Sequence, residues 1–384
     1  MSTVTRQTTS TFHLANDTKE VKQEVTIKEI NQDDQEDEIS EIVSFNQRHQ
    51  SVLSITHFND PLTIQEQFPI PELKDHDVLV SNKAIGLNPI DWKGKKYQFG
   101  IYHFPWINGR ESSGVVVQTG KLVNQQDFTI GDKVIVSSTS YRDNRTSTFQ
   151  QFTAIDSRLV WKLPTNFSFE DGATIGVGLV TAGVIFYNSF KFQLTINPPP
   201  TSEQESIIIW GGATVVGLYA TQIAKINGLK VILVASLKHE EYLRHLGADI
   251  IVDRHLPIEE IKQLALSFGP IKYGIDCVSK ETSSIVLDIL SNFGDINPLF
   301  SGIVGIPKLN IPPQVEIREV IIKQFHENIE FGKQFVTVTS HLFTTHQIKP
   351  VRYRHYKGGL HIIDDALNDL EAIGAKGEKY VVSI

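Results

Sequence analysis

The 384-residue sequence predicts an α/β protein in which a β-rich, barrel-like region is followed by a doubly wound parallel sheet. Three observations predict it. From residue 51 to about 169, short β-like runs alternate with turn residues and no helical period intervenes. From residue 170 onward, helical stretches alternate with short continuous apolar runs, as right-handed βαβ units require. The length, at about 150 residues per domain, allows two to three domains, and a hydrophobic content of 40% supplies their cores.

The β-rich region opens with runs at 51–56, 62–67 and 77–85, connected through Pro69, Pro71 and the charged pair Lys74-Asp75. Runs at 114–117 and 132–137 continue it, the second fed by the turn Gly131-Asp132-Lys133-Val134. Residues 170–190 read as a helix, and 197–203, with three consecutive prolines, as an exposed linker. A continuous apolar strand at 207–210 runs into Gly211-Gly212-Ala213-Thr214-Val215-Val216-Gly217. Behind it Val216, Ala220, Ile223 and Asn227 repeat at helical spacing, and Gly228 suits a helix C-terminus. Strands at 230–235, 250–252 and 273–278 follow, with a helix at 240–246 stopped by Gly247.

The first 48 residues differ from the rest. They hold ten acids against five bases, a net −5 out of the chain's −8. Lacking a steady apolar period, they are expected to be disordered, apart from a short strand that Val21, Val25 and Ile27 would allow. The remaining 336 residues are close to neutral, which gives no basic footprint for nucleic acid. No apolar run approaches the roughly 18 residues of a membrane span, so no membrane partner is expected. The one cysteine, Cys277, allows neither an intramolecular disulfide nor a multi-cysteine zinc site and fits a reducing, cytoplasmic location. A Thr-rich start with Arg6 would suit a transit peptide, but the acids from Asp17 onward oppose it, and no secretory apolar core is present.

The glycine-rich turn between a buried strand and a helix offers backbone N–H groups and a helix dipole to a phosphate. Gly211 would permit the tight turn and Gly217 close packing of the helix, while Thr214 stands where the usual fingerprint has its middle glycine. The cofactor set is therefore Gly211, Gly212, Ala213, Thr214, Val215, Val216 and Gly217. After the second strand a NAD site usually carries a carboxylate for the ribose hydroxyls. Ser236 and Lys238 stand there instead, and would donate to the 2′-phosphate of NADPH, although Glu240 and Glu241 lie nearby.

The region from Ser51 to Ile384 resembles the medium-chain dehydrogenase/reductase superfamily, in the zinc-free fungal branch of toxD-like proteins and trans-acting enoyl reductases. The residues carrying the match are Gly86-Leu87-Asn88-Pro89-Ile90-Asp91-Trp92-Lys93, Gly109-Arg110-Glu111-Ser112-Ser113-Gly114, Gly131-Asp132-Lys133-Val134, Gly176-Val177-Gly178-Leu179-Val180-Thr181-Ala182, Leu246-Gly247-Ala248-Asp249 and Gly377-Glu378-Lys379-Tyr380-Val381-Val382. The resemblance implies a bilobal protein with a GroES-like catalytic domain and an inserted Rossmann domain. The expected boundaries are 1–48 for the acidic extension, 49–174 for the catalytic domain, 175–346 for the Rossmann domain and 347–384 for the return to the first lobe. It also implies a homodimer through a Rossmann edge strand at 316–322, where Val315, Ile317 and Val320 fall on apolar positions.

The resemblance further implies site residues. Zinc-dependent members hold the metal with a Cys, a His and a second Cys or Asp. The matching positions are Asn88, Arg110 and Val177, and neither a guanidinium nor a valine has a lone pair to offer, so no metal is expected. Thr181 matches the contact to the nicotinamide end, and Gly302 and Val304 match its wall. Arg254 follows the third strand, where it would stack on adenine or meet the 2′-phosphate. Asn88, Asp91 and Lys93 are the catalytic candidates. Asn88 would orient nicotinamide or substrate, Lys93 would donate to a developing enolate, and Asp91 and Lys93 would equally serve as an ion pair shaping the loop. Tyr97 and Tyr102 are possible proton donors. Trp92, Phe99, Phe104 and Trp106 would line a pocket for a flat or acyl substrate. Without a Lewis acid, hydride addition to an enone, quinone, enoyl thioester or aldehyde is the easier chemistry. The alternative is a dinucleotide-binding protein with little turnover that acts through protein contacts made by its acidic head.

Overall fold

The computed structural model describes residues 7–10, 21–24, 47–138, 143–199 and 205–384. In the acidic head, strands Gln7–Ser10 and Val21–Glu24 pair antiparallel. The rest of the head, and with it the expectation of disorder, lies outside the described residues, as do positions 200–203 of the expected linker.

From residue 47 the chain forms one compact body around two principal sheets. The first runs in the order Trp161–Lys162, Lys133–Ser137, Glu111–Thr119, Asp77–Leu87, Lys379–Ser383, Tyr353–Lys357, with Phe152–Asp156 also paired to the central strand. Asp77–Leu87 is buried at ten of its eleven positions, and its ladder shifts register after Leu79 and after Asn82. Its last residues pair with the late strand Lys379–Ser383, Leu87 opposite Tyr380. The chain therefore leaves this sheet after residue 162 and returns to it nearly two hundred residues later. A smaller antiparallel sheet of His49–Ile55, Thr63–Pro69 and Trp106–Ile107 lies beside it.

The second sheet is wholly parallel, in the order Ile250–Asp253, Lys230–Ala235, Ser206–Trp210, Ile271–Asp276, Leu299–Gly302, Glu316–Ile317. Its central strands are apolar in their middles because both faces are covered. Ile207 and Ile209 join one core cluster, while the alternate residues Ile208 and Trp210 join another. The order reverses at Ser206–Trp210, and ligands of such sheets bind beyond the strand C-termini at that reversal.

Three expectations need correction. The helix expected at 170–190 is broken into Phe169–Gly172, Gly176–Gly183 and a π-helical turn Val184–Ser189. The same stretch, Phe169–Ser189, is 21 residues of mean hydropathy 1.4, so one segment does have the length and composition of a span, although 78% of its apolar window is buried inside the protein. Its packing explains the hydropathy: a Cβ at Gly183 would lie 2.1 Å from the Phe335 ring. Finally, the edge strand expected at 316–322 is only Glu316–Ile317. Beyond it Val320 and Ile322 turn inward onto the core and onto a pocket wall, which is why their apolar alternation imitated a longer strand.

Candidate functional site

A pocket of about 540 Å³ opens between the two sheets. The β-rich lobe contributes Asn88, Lys93 and Phe99, and the parallel-sheet lobe contributes Thr181, Thr214 and Val304.

The glycine-rich turn forms one wall. Gly211 adopts φ +86°, which favours glycine. A Cβ at Gly217 would stand 2.4 Å from the Gly211 carbonyl oxygen, so this glycine lets the helix close back on the turn. The Gly211 and Gly212 N–H groups are spent on the Val234 carbonyl. Thr214, the departure from the glycine fingerprint, is the N-cap of Val215–Ile226: its hydroxyl accepts from Gly217 N–H at 3.1 Å and donates to Gly211 O at 2.8 Å. Thr214, Val215 and Val216 line the pocket, whereas Gly211, Gly212, Ala213 and Gly217 build the turn behind it. Thr181, on Gly176–Gly183, also lines it, its hydroxyl donating to Val177 O at 2.7 Å. Gly302 ends its strand outside the lining, which its neighbours Ile303 and Val304 supply.

Ser236, Lys238 and Arg254 lie outside the pocket, at the far end of strands Lys230–Ala235 and Ile250–Asp253. Lys238 and Arg254 are close enough to act on one group. Burial pushes the His239 imidazole below its usual range, and Lys238, Arg254 and Arg352 add to the effect against Glu378. Arg352 lies over the Tyr242 ring at 4.1 Å. It was not singled out in the sequence, because it belongs to the stretch that returns to the other lobe. The turn ahead of strand Lys379–Ser383 docks here too: Gly377 N–H donates to Ala213 O at 3.0 Å, and a Cβ on Gly377 would meet the His239 ring at 3.0 Å.

The opposite wall holds a buried ionic cluster. Asn88 is the N-cap of Pro89–Lys96, with Pro89 preset for the first turn. Its backbone N–H donates to Asp91 Oδ2 at 2.8 Å. Its side-chain Nδ2 donates to Glu111 Oε1 at 2.6 Å, and its Oδ1 accepts from Lys379 Nζ at 2.8 Å. Lys379 and Glu111 are themselves ion-paired, with side chains 1% and 0% exposed. The second Glu111 oxygen accepts the Val177 N–H at 2.8 Å, at the start of helix Gly176–Gly183. Arg110 is buried beside Asp91. Burial raises the Asp91 carboxyl to about 6 against the opposing charges of Arg110 and Lys379, with Glu111 adding to the rise. Asp91 Oδ1 has no hydrogen-bond partner among the described residues.

The structure separates the expected catalytic candidates. Asn88 and Lys93 reach the pocket, whereas Asp91 is a capping residue beneath it. The anticipated Asp91–Lys93 ion pair is absent from the described contacts: Lys93 Nζ lies 5.5 Å over the Trp92 ring, and Arg110 and Lys379 are the cations that act on Asp91. Of the four aromatics only Phe99 lines the pocket. Trp106 is fully buried under Tyr102 and His103, and Phe104 packs on His57 and Phe58. Tyr97 and Tyr102 are 60% and 56% exposed and outside the lining. Glu111 and Lys379 carried no assigned role in the sequence. The available signal was a charged residue at the head of each of two strands with apolar middles, in a class that is almost never buried unpaired.

Comparison with known proteins gives two family profiles, described as "Alcohol dehydrogenase GroES-like domain" over residues 74–165 and "Zinc-binding dehydrogenase" over residues 215–326. The Saccharomyces cerevisiae protein YLR460C is 30% identical over 366 residues, 83% of this chain and 94% of that protein. Trans-enoyl reductase ACTTS2 of Alternaria alternata is 30% identical over 341 residues, 83% of this chain and 95% of that protein. The structure of mycobacterial Rv1454c complexed with NADPH superposes with a TM-score of 0.69 at 20% identity, over 87% of this chain and 100% of that one.

Proposed function

Because the chain belongs to the medium-chain dehydrogenase/reductase superfamily, we propose that it is an NADPH-dependent reductase of an activated double bond or carbonyl, in an enone, quinone, enoyl thioester or aldehyde, working without zinc. The observation that carries this reading is the pocket itself, which Thr214 to Val216 of the glycine-rich turn and helix start and Thr181 line together with Asn88 and Lys93 of the other lobe. Bound NADPH would supply a hydride. The helix N-terminus at Thr214–Val216 would hold its diphosphate, and Lys238, Arg254 and Arg352 its 2′-phosphate. Asn88 and Lys93 would donate to the oxygen on which charge develops, while Phe99, Val304 and Ile322 keep water from the reacting carbon.

The donor set at the family's metal position does not suit a divalent cation. Of the three matched positions, Arg110 is a cation, Val177 offers only an N–H already given to Glu111, and the Asn88 amide oxygen is taken by the Lys379 ammonium. No step here passes through a metal. The name of ACTTS2 supports enoyl reduction, and the NADPH in the Rv1454c structure supports the cofactor.

The test is NADPH oxidation by the purified chain against a panel of enones, quinones, aldehydes and enoyl thioesters. Turnover of at least one class is expected. Binding of NADPH with no turnover anywhere would favour the second reading, a dinucleotide-binding protein acting through its acidic first 48 residues. Pairing of two copies through Glu316–Ile317 completes the proposal, and a sedimenting mass equal to one chain would remove it.

A further inference from the structure

The amide of Asn88 is held at both ends by charged partners that can act in only one sense. An ammonium only donates, so Lys379 fixes the oxygen; an ionised carboxylate only accepts, so Glu111 fixes the nitrogen. The amide therefore has one orientation, and a flipped one would set donor against donor and acceptor against acceptor. Glu111 is itself immobilised. Its Oε2 takes the Val177 N–H, and its side chain runs between two glycines, where a Cβ at Gly86 or at Gly176 would come within 2.8 Å or 2.6 Å of it. Asn88 lines the pocket, and one of its two Nδ2 hydrogens has no acceptor among the described residues. A buried ion pair of this kind is weak as a stabilising device, because desolvation offsets most of its attraction. Its geometry is nonetheless suited to specifying a neighbour's orientation.

We propose that Lys379 and Glu111 are positioning residues that lock the Asn88 amide with its uncommitted N–H turned to the pocket, where it donates to the substrate oxygen that gains charge. The proposal rests on the reductase reading above. With an enone or enoyl thioester, hydride supplied by bound NADPH would form a C–H bond at the β-carbon and the electron pair of the double bond would shift to leave an enolate oxygen. A solvent proton then completes the α-carbon and NADP⁺ departs. Only the enolate oxygen carries the new charge, so a donor fixed toward it acts mainly in the transition state and should govern kcat rather than KM.

Lys379→Met alone leaves Glu111 buried without its cation and can fail to fold, so the decisive protein is Lys379→Met/Glu111→Gln, which removes both charges and frees the amide to flip. Expected for this double variant are a near-native circular dichroism spectrum, NADPH affinity within about threefold, and kcat on the best substrate of the panel reduced about 10- to 100-fold with KM little changed. Asn88→Ala should lower kcat strongly in the native background and add little in the double-variant background, because the three residues act as one unit. Lys379→Arg, which keeps a fixed cationic donor, should recover part of the rate. A folded double variant with native kcat, or an Asn88→Ala effect of equal size in both backgrounds, overturns the positioning role. Failure of the native protein to turn over any substrate would instead overturn the reductase reading.

Discussion

The two walls of the pocket are built in opposite ways. The proposed cofactor wall is local: strand Ser206–Trp210, the turn, and helix Val215–Ile226 are consecutive, and Thr214 caps a helix that begins at the next residue. The ionic wall is assembled from Asn88, Glu111 and Lys379, whose farthest members are 291 residues apart. The local wall depends on backbone conformation and on glycines with no room for a side chain. The distant wall depends on charges that satisfy one another only once the whole fold is in place. Substitutions on the first should therefore act on cofactor binding and on helix formation, and substitutions on the second on rate and on pH response.

The largest expected effect is on the local wall. Gly217→Val puts a side chain against the Gly211 carbonyl, 2.4 Å from a Cβ at that position. It should abolish NADPH binding, followed by cofactor fluorescence, or prevent folding; a variant that binds NADPH normally would break the contrast. Asp91 tests the distant wall next. Its folded carboxyl sits at about 6, above the 3.8 of the unfolded chain, so the native state holds a proton that the unfolded state has released. Stability should fall as pH rises from about 4 to about 6 and level off above that, an effect of about 3 kcal/mol when complete. Asp91→Asn should remove this slope in urea titrations across that range, and a slope unchanged by the substitution would refute it.

Smaller effects refine the cofactor wall. If NADPH is the cofactor, Lys238→Glu should shift the NADPH-over-NADH preference about tenfold toward NADH by setting a carboxylate beside the 2′-phosphate; ratios of kcat/KM for the two cofactors check it, and an unchanged ratio defeats the assignment of Lys238 to the 2′-phosphate. Thr214→Ala should cost about 1 kcal/mol of stability through the lost cap, measured by denaturant midpoint, with the fold otherwise intact.

The same division decides what could be read from the sequence. The turn and its flanking helix were legible because their signals are local, and the doubly wound sheet because each strand–helix–strand unit repeats the same short pattern. The return of the chain to the first lobe, and the placing of Asn88 and Lys93 on a shared pocket, followed from the matched motifs. Lys379 and Arg352 were not assigned roles, since nothing near them in the chain announces a partner. The Asp91–Lys93 pairing was inferred from closeness within one motif read as a loop, but buried Arg110 and Lys379 are the cations that act on Asp91, and Lys93 Nζ lies over the Trp92 ring instead. Val320 and Ile322 misled for a similar reason: alternation reports that side chains are covered without saying by what.

The pairing of Asp77–Leu87 with Lys379–Ser383 also has a consequence for biosynthesis. In order of synthesis, the strands of the parallel sheet and the glycine-rich turn precede the strand that completes the first sheet. Until then the central strand of that sheet exposes an unpaired edge and Glu111 waits without its cation. The slowest folding step should be the capture of this late strand by an early one.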